Sequence, residues 1–171
     1  MSDERAAALR AQFDRAFAEA LAPAAPASRD FLRVRVDGEP FAIALTEIAS
    51  LHAQLHVVAV PTRAPELLGI AAVRTALVPI YDLRIALGAS ATAPPRWTVL
   101  VRGAAAGFAF DGFDGHARSE DRADAEARSA VRALVSLDGR AHPVIALGSL
   151  LEGIQARWTS STGRRVAEKE P

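Results

Sequence analysis

VPTRAPELLGIAAVRTALVPIYDLR, running from Val60 to Arg84, is the stretch on which the fold turns. Pro61 and Pro65 push the residues before them out of the helical region and fix an extended turn. Gly69 stands where a strand starts, and without a Cβ it lets another backbone pass close. The apolar residues after it end on Arg74. Val78-Pro79-Ile80-Tyr81-Asp82-Leu83 then passes from a strand into a short helix, with Asp82 placed to cap the helix that begins at Leu83 and Gly88 to stop it. Turn and cap chemistry accounts for Pro61, Pro65, Gly69, Pro79 and Asp82. Arg74 has no such folding task. An arginine closing an apolar strand suits an interface, where arginine is enriched among hot spots, so it is the first candidate for partner contact.

Upstream, Leu32, Val34 and Val36 alternate with Arg33 and Arg35, the period of a half-buried strand. Asp37-Gly38 suits a two-residue hairpin turn whose central residues need positive φ. The return strand is Phe41 to Leu45, and Thr46 caps a short helical turn through Leu51. The same phrase comes back downstream: Val131 to Leu137 alternates, Asp138-Gly139 turns, Pro143 to Leu147 returns, and Gly148 to Ile154 forms a short helix. The return strands share Ile43-Ala44-Leu45-x-x-Ile48 and Ile145-Ala146-Leu147-x-x-Leu150. Between them lie a strand at Trp97 to Val101, a turn at Gly103 and a strand at Gly107 to Asp111. Short strands with turns at close intervals predict an all-β barrel or sandwich with short helices. The repeated phrase suggests two related halves.

Composition narrows the function classes. The chain has 171 residues, half of them hydrophobic, with 20 basic and 20 acidic side chains and a formal net charge of zero. That neutrality removes the global field of a nucleic-acid or anionic-membrane binder. With no cysteine, disulfides, thiolate metal sites and cysteine nucleophiles are excluded. Met1 to Ala8 has no apolar core of a secretory signal. The most apolar run, Leu67 to Leu87, carries Arg74, Pro79, Asp82 and Arg84 and does not read as a membrane span. A cytoplasmic protein without direct membrane insertion is expected.

The ends read separately from the body. Ser2 to Leu21 reads as an amphipathic helix with Leu9, Phe13, Phe17 and Leu21 along one face, stopped by a linker at Pro23 and Pro26. Two readings of that stripe stand: it packs on the body, or it binds a partner or a second copy. Ser160 to Pro171 is polar. The expected organisation is residues 1–26 as helix and linker, 27–155 as the main domain and 156–171 as a polar tail.

No catalytic constellation emerges. His52 and His56 are spaced to share a helix face, but no third ligand is near, as a catalytic zinc requires. Asp111-Gly-Phe-Asp114-Gly115 lacks the alternating oxygen ligands and closing glutamate of a calcium loop and reads as two tight turns. Phosphate-loop, dinucleotide and nucleophile-elbow signatures are absent. The run Arg118 to Arg128 mixes both signs and reads as a solvated loop or exposed helix. The sequence therefore assigns no catalytic residue, metal or cofactor.

Residues 60–84 resemble the chemotaxis coupling protein family, CheW. Pro61, Pro65, Gly69, Arg74, Val78, Pro79, Asp82 and Leu83 fall in order on that family's pattern of a proline-rich turn, a glycine, an apolar strand ending in Arg-Gly, and a strand running into Pro-[VI]-x-Asp-Leu. The flanking hairpins extend the resemblance over about residues 31–153. It implies a mainly β fold of two intertwined five-stranded SH3-like barrels, with the N-terminal helix as an addition. It implies a non-enzymatic adaptor that joins the cytoplasmic tip of a methyl-accepting chemoreceptor to a CheA-type histidine kinase, placed at the membrane only through receptor arrays. Partner contacts would fall at Arg74, Thr75, Ser50, Leu51, Val60 and Pro61. Two departures bear on those contacts. Thr75 replaces the pattern's glycine, so the turn is expected to be reshaped, because a β-branched residue resists positive φ. Ser50 stands where the family often has an acid. The alternative reading is a small-molecule or nucleic-acid binding barrel outside chemotaxis.

Overall fold

Asp37-Gly38 and Asp138-Gly139 both adopt left-handed backbone, with φ of 54° and 80° in the first and 50° and 75° in the second. Only a short polar residue followed by glycine does this cheaply. The first turn joins β1 (Arg29–Val36) to β2 (Glu39–Ala44), and the second joins β9 (Val131–Leu137) to β10 (Arg140–Ile145). A 3-10 turn at Leu45–Glu47 leads from β2 to β3 (Ile48–Ala53). Next come β4 (Leu67–Val73), β5 (Ala76–Asp82) and the single-turn helix α1 (Leu83–Ala86). Then follow β6 (Trp97–Val101), β7 (Gly107–Phe110), β8 (Gly112–Ser119), the β9–β10 hairpin, and the helix α2 (Leu147–Val166). This computed structural model describes residues 28–90, 93–119 and 130–166. The expected N-terminal helix and its linker lie outside the described residues.

The strands form two five-stranded sheets, ordered β8-β1-β2-β10-β9 and β3-β6-β7-β5-β4. Each half of the chain contributes a hairpin, a strand that crosses to the other sheet, a second hairpin and a helix. The halves β1–β5 and β6–β10 therefore follow one plan and interlock, as the mainly β, intertwined expectation had it. The repeated sequence phrase means something else. Its copies are not counterparts in the two halves but parallel neighbours in one sheet, with Ala42 beside Val144 and Ile43 beside Ile145. The counterpart of that junction is β5 against β7, where Ile80, Tyr81 and Asp82 lie beside Gly107, Phe108 and Ala109.

These junction strands are buried on both faces, which explains their unbroken apolar sequence. Ala42 and Val144 face the interior of the first barrel with Phe31, Ala117, Val135 and Leu137. Ile80 and Ala109 face the interior of the second with Ala71 and Val78. Their chain neighbours Ile43, Ile145, Tyr81 and Phe108 turn the other way into a seam between the barrels. Helix α2 closes that seam with Leu147, Leu150, Leu151 and Ile154, the spacing of one helical stripe. The Glu47 carboxylate accepts the Gly148 N–H at 3.2 Å, placing negative charge at the helix's positive end.

Three local expectations are corrected. The segment Thr46 to Leu51 is mostly not helical: after one 3-10 turn it becomes β3, because the edge of β6 pairs Ser50, Leu51 and His52 with Leu100, Val99 and Thr98. His52 thus lies on a strand and His56 in the following loop, so they share no helix face. The residues read as two tight turns around Asp111 and Asp114 instead begin a strand, β8, paired with β1. Gly115, Ala117 and Ser119 take one face and His116 and Arg118 the other, until a bulge at Asp114 turns Phe113 to lie opposite Val34; the bulge and two glycines obscure the alternation. Finally, α2 runs past Ile154 to Val166, where Gln155, Ala156 and Arg157 are favourable helix formers.

Candidate partner-binding surface

The β4–β5 hairpin closes on the two-residue loop Arg74-Thr75, with Val73 opposite Ala76. The two other two-residue hairpin loops, Asp37-Gly38 and Asp138-Gly139, put positive φ on both residues. Here only Arg74 has it, at 56°. Thr75 stays out of the left-handed region, so the turn is reshaped in the way its β-branched side chain demands. The strain falls on Arg74, a residue type that rarely adopts this backbone. Arg74 and Thr75 are both exposed, and the Arg74 guanidinium makes no hydrogen bond or ion pair to the described residues.

Behind that tip lies an apolar outer face. Ile70 stands opposite Pro79, Ala72 opposite Leu77, and Val58 bridges to Ile70. Directly opposed residues point to the same side of a sheet, so these five share a face. Leu77 is 68% exposed and Val58 53%. Sequence reasoning did not single out Leu77. The available signal was the unbroken apolar run from Ala76 to Tyr81, where a strand with a solvated face would alternate.

Gly69 binds the preceding link to this hairpin. Val58 N–H donates to the Ile70 carbonyl at 2.8 Å, and Ile70 N–H to the Val58 carbonyl at 2.9 Å. A Cβ on Gly69 would drive into the Val58 carbonyl. The same link carries Val60, half-buried, and Pro61, exposed. Because it runs antiparallel to β4, Val60 and Pro61 sit near the start of β4 and Arg74-Thr75 at its end, separated by about seven residues of strand at ~3.3 Å each. Pro65 is exposed in the turn that precedes β4. Ser50 and Leu51 lie on β3, which edges the same sheet on the opposite side. Both are half-buried, and Ser50 Oγ is 2.8 Å from His52 Nε2. The sequence-derived contacts are thus spread over one barrel rather than gathered in one cleft.

At the other end of β5 the chemistry is buried and ionic. Asp82 caps α1 by accepting the Arg84 N–H at 2.9 Å, as its sequence position predicts. The same carboxylate takes the Arg84 side chain on both oxygens. Arg84 also donates to the Ala93 carbonyl and to Asp111, and the Asp82 hydrogen bond holds its guanidinium above the usual arginine range. Asp111 in turn accepts the Asp37 N–H at 2.7 Å. This junction ties β5, the link after α1, the β7–β8 corner and the β1–β2 turn together. In the sequence Asp111 reads as part of a tight turn and Arg84 only as a charge within an apolar run, and nothing there pairs either with Asp82. Nearby, buried Glu66 pairs with Arg157 of α2 at 2.9 Å. Burial and the Glu66 charge raise the Tyr81 phenol above its ordinary value. Among the described residues, no three His, Asp or Glu side chains converge in a way that would hold a metal, and no helix is long and apolar enough to cross a membrane.

Comparison with known proteins agrees with this architecture. Among solved structures, the scaffolding protein TtCheW from Thermoanaerobacter tengcongensis is similar, with a TM-score of 0.61 over 70% of this chain and 89% of that one at 15% identity. No curated protein sequence matches. The family model described as CheW-like domain matches residues 30–154, both barrels and the seam-closing part of α2. The chain belongs to the CheW-like domain family.

Proposed function

We propose that this protein is a non-catalytic adaptor that couples the cytoplasmic tip of chemoreceptors to a CheA-type histidine kinase in a chemotaxis or motility pathway. The observation that carries the reading is the β4–β5 hairpin, whose outer face exposes Leu77 and Val58 and ends on Arg74. A contiguous apolar face beside a cation without a partner among the described residues is the composition of a protein interface. Thr75 at the tip, and Val60 and Pro61 toward the opposite end of β4, extend this contact surface, and Ser50 and Leu51 on β3 form a second one. Family membership supports the same reading.

Calorimetric titration of the purified protein with the kinase regulatory domain and with a receptor-tip fragment tests the proposal. Arg74→Glu is expected to abolish binding of at least one of them while leaving the circular dichroism spectrum unchanged. Wild-type protein that binds neither partner refutes the adaptor reading.

A further inference from the structure

The two barrels are built on one plan but are filled differently. In the first, Leu32 stands opposite Ile43, which lies beside Ile145. In the second, Val99 stands opposite Phe108, which lies beside Tyr81. Matching these positions puts Thr98 where Phe31 stands, each directly opposite an alanine: Ala109 for Thr98 and Ala44 for Phe31. Phe31 is 1% exposed and packs in the interior of its barrel. Thr98 is too small to do the same. The second barrel is left with a hollow of about 260 Å³ at that end, lined by Leu55, Val57, Leu68, Pro95, Arg96 and Thr98 over a floor of Ala109.

We infer that this hollow is a socket for one apolar side chain of a partner protein, presented next to a carboxylate that pairs with Arg96. The chemistry of the occupant is stated by the molecule itself, since the corresponding space in the first barrel is taken by a phenyl ring. The size agrees, because an apolar cavity of about 150 Å³ already accepts benzene. The carboxylate follows from charge. Arg96 is exposed, and its guanidinium has no hydrogen bond or ion pair to the described residues. Its backbone is held on both sides, N–H to the Phe110 carbonyl at 3.1 Å and carbonyl to the Gln54 N–H at 2.8 Å, so the main chain that carries the cation is anchored at the rim. The socket is built from Leu55 and Val57, beyond β3, and from β4, β6 and β7, and it is separate from the Arg74 tip. The inference deepens the adaptor reading and rests on it for a protein occupant.

The test separates the socket from its partner. Hydrocinnamate, a phenyl ring on a short chain with a carboxylate, is titrated into methyl-labelled protein followed by NMR. The expected result is saturable shifts at the methyls of Leu55, Val57, Leu68 and Ala109, with affinity lowered about tenfold for hydrocinnamamide or for Arg96→Glu. Thr98→Phe, which copies the first barrel, is expected to abolish them. Absent shifts, or shifts that survive in a folded Thr98→Phe variant, overturn the socket, and equal affinity for acid and amide overturns the paired carboxylate. A second titration uses the kinase regulatory domain and the receptor-tip fragment. If wild type binds either one, Arg96→Glu and Thr98→Phe are each expected to weaken that binding about tenfold. Unchanged affinity in both variants overturns the inference, whereas wild type binding neither refutes the adaptor reading alone.

Discussion

Arg84 grips Asp82 with two parallel hydrogen bonds, Nε to Oδ1 at 2.9 Å and Nη2 to Oδ2 at 2.6 Å, and the two residues are 2% and 0% exposed. A buried pair of this kind repays its desolvation only if every remaining donor and acceptor is used. Here every guanidinium nitrogen and both carboxylate oxygens have a partner, because Arg84 also reaches Asp111 and the Ala93 carbonyl, while Asp82 also caps α1. Removing one partner strands a charge. Asp82→Ala is expected to cost about 3–5 kcal/mol in urea unfolding. The double variant Asp82→Ala/Arg84→Met is expected to cost clearly less than the sum of the two single variants. Additive losses would show that the two side chains do not act as one unit.

Gly69 sets a different limit. Its φ of 152° and the Val58 carbonyl lying where a Cβ would be leave no room for any side chain. Gly69→Ala is expected to destabilise the protein by about 1–3 kcal/mol. The damage should be local. Amide hydrogen exchange should accelerate most at Val58 and Ile70, whose reciprocal hydrogen bonds hold the link against β4. A uniform acceleration across both sheets would argue that the link is not what Gly69 secures.

Tyr81 is the only tyrosine in the chain, so ultraviolet titration of tyrosinate reports this group alone. Burial first, and the Glu66 charge second, raise its pKa above the ordinary 10.0. The folded state therefore keeps a proton that the unfolded chain has already lost. It follows that stability is unaffected by this group below that ordinary value and falls as pH rises through it toward the folded value. The native phenol is expected to titrate above its ordinary range, and Glu66→Gln to move it back part of the way. A native titration at or below the ordinary value contradicts the assigned environment.

What was legible in the sequence followed from rules that act over a few residues. Asp37-Gly38, Asp138-Gly139 and Asp82 were readable because turns and caps are settled by neighbours along the chain. The family pattern from Pro61 to Leu83 supplied the interlocked barrels, which periodicity alone left as a barrel or sandwich. β3 and β8 were missed because both are the crossing strands. Their pairing partners, β6 and β1, lie about fifty and eighty residues away, and nothing local distinguishes Ser50 or Asp114 from a loop residue. The Arg84 junction was hidden for the same reason: Asp111 and Asp37 reach it only through the fold. At the candidate surface, Arg74 was legible as a cation without a folding task. The hollow under Arg96 was not, since it arises from comparing Thr98 with Phe31, and that equivalence exists only once the two sheets are laid side by side.

Arg74 joins strain to exposure, and the two can be separated. An L-residue at φ of 56° pays roughly 1–2 kcal/mol relative to right-handed backbone, which glycine does not, although glycine gives back part of that through its freer unfolded chain. Arg74→Gly also restores the residue type that suits such a loop. The variant is expected to be more stable than wild type by up to about 1 kcal/mol in thermal unfolding, and at the same time to bind the kinase domain or the receptor tip more weakly. Gain of stability with loss of binding means that the strain is tolerated for the sake of the guanidinium at the tip. Arg74→Lys separates charge from geometry. It keeps the strained backbone and the positive charge but loses the planar fork, so it is expected to match wild type in stability and to fall between wild type and Arg74→Gly in affinity. If Arg74→Gly binds both partners as well as wild type does, the hairpin tip is not a contact, and the interface must be sought on β3 or at the open end of the second barrel.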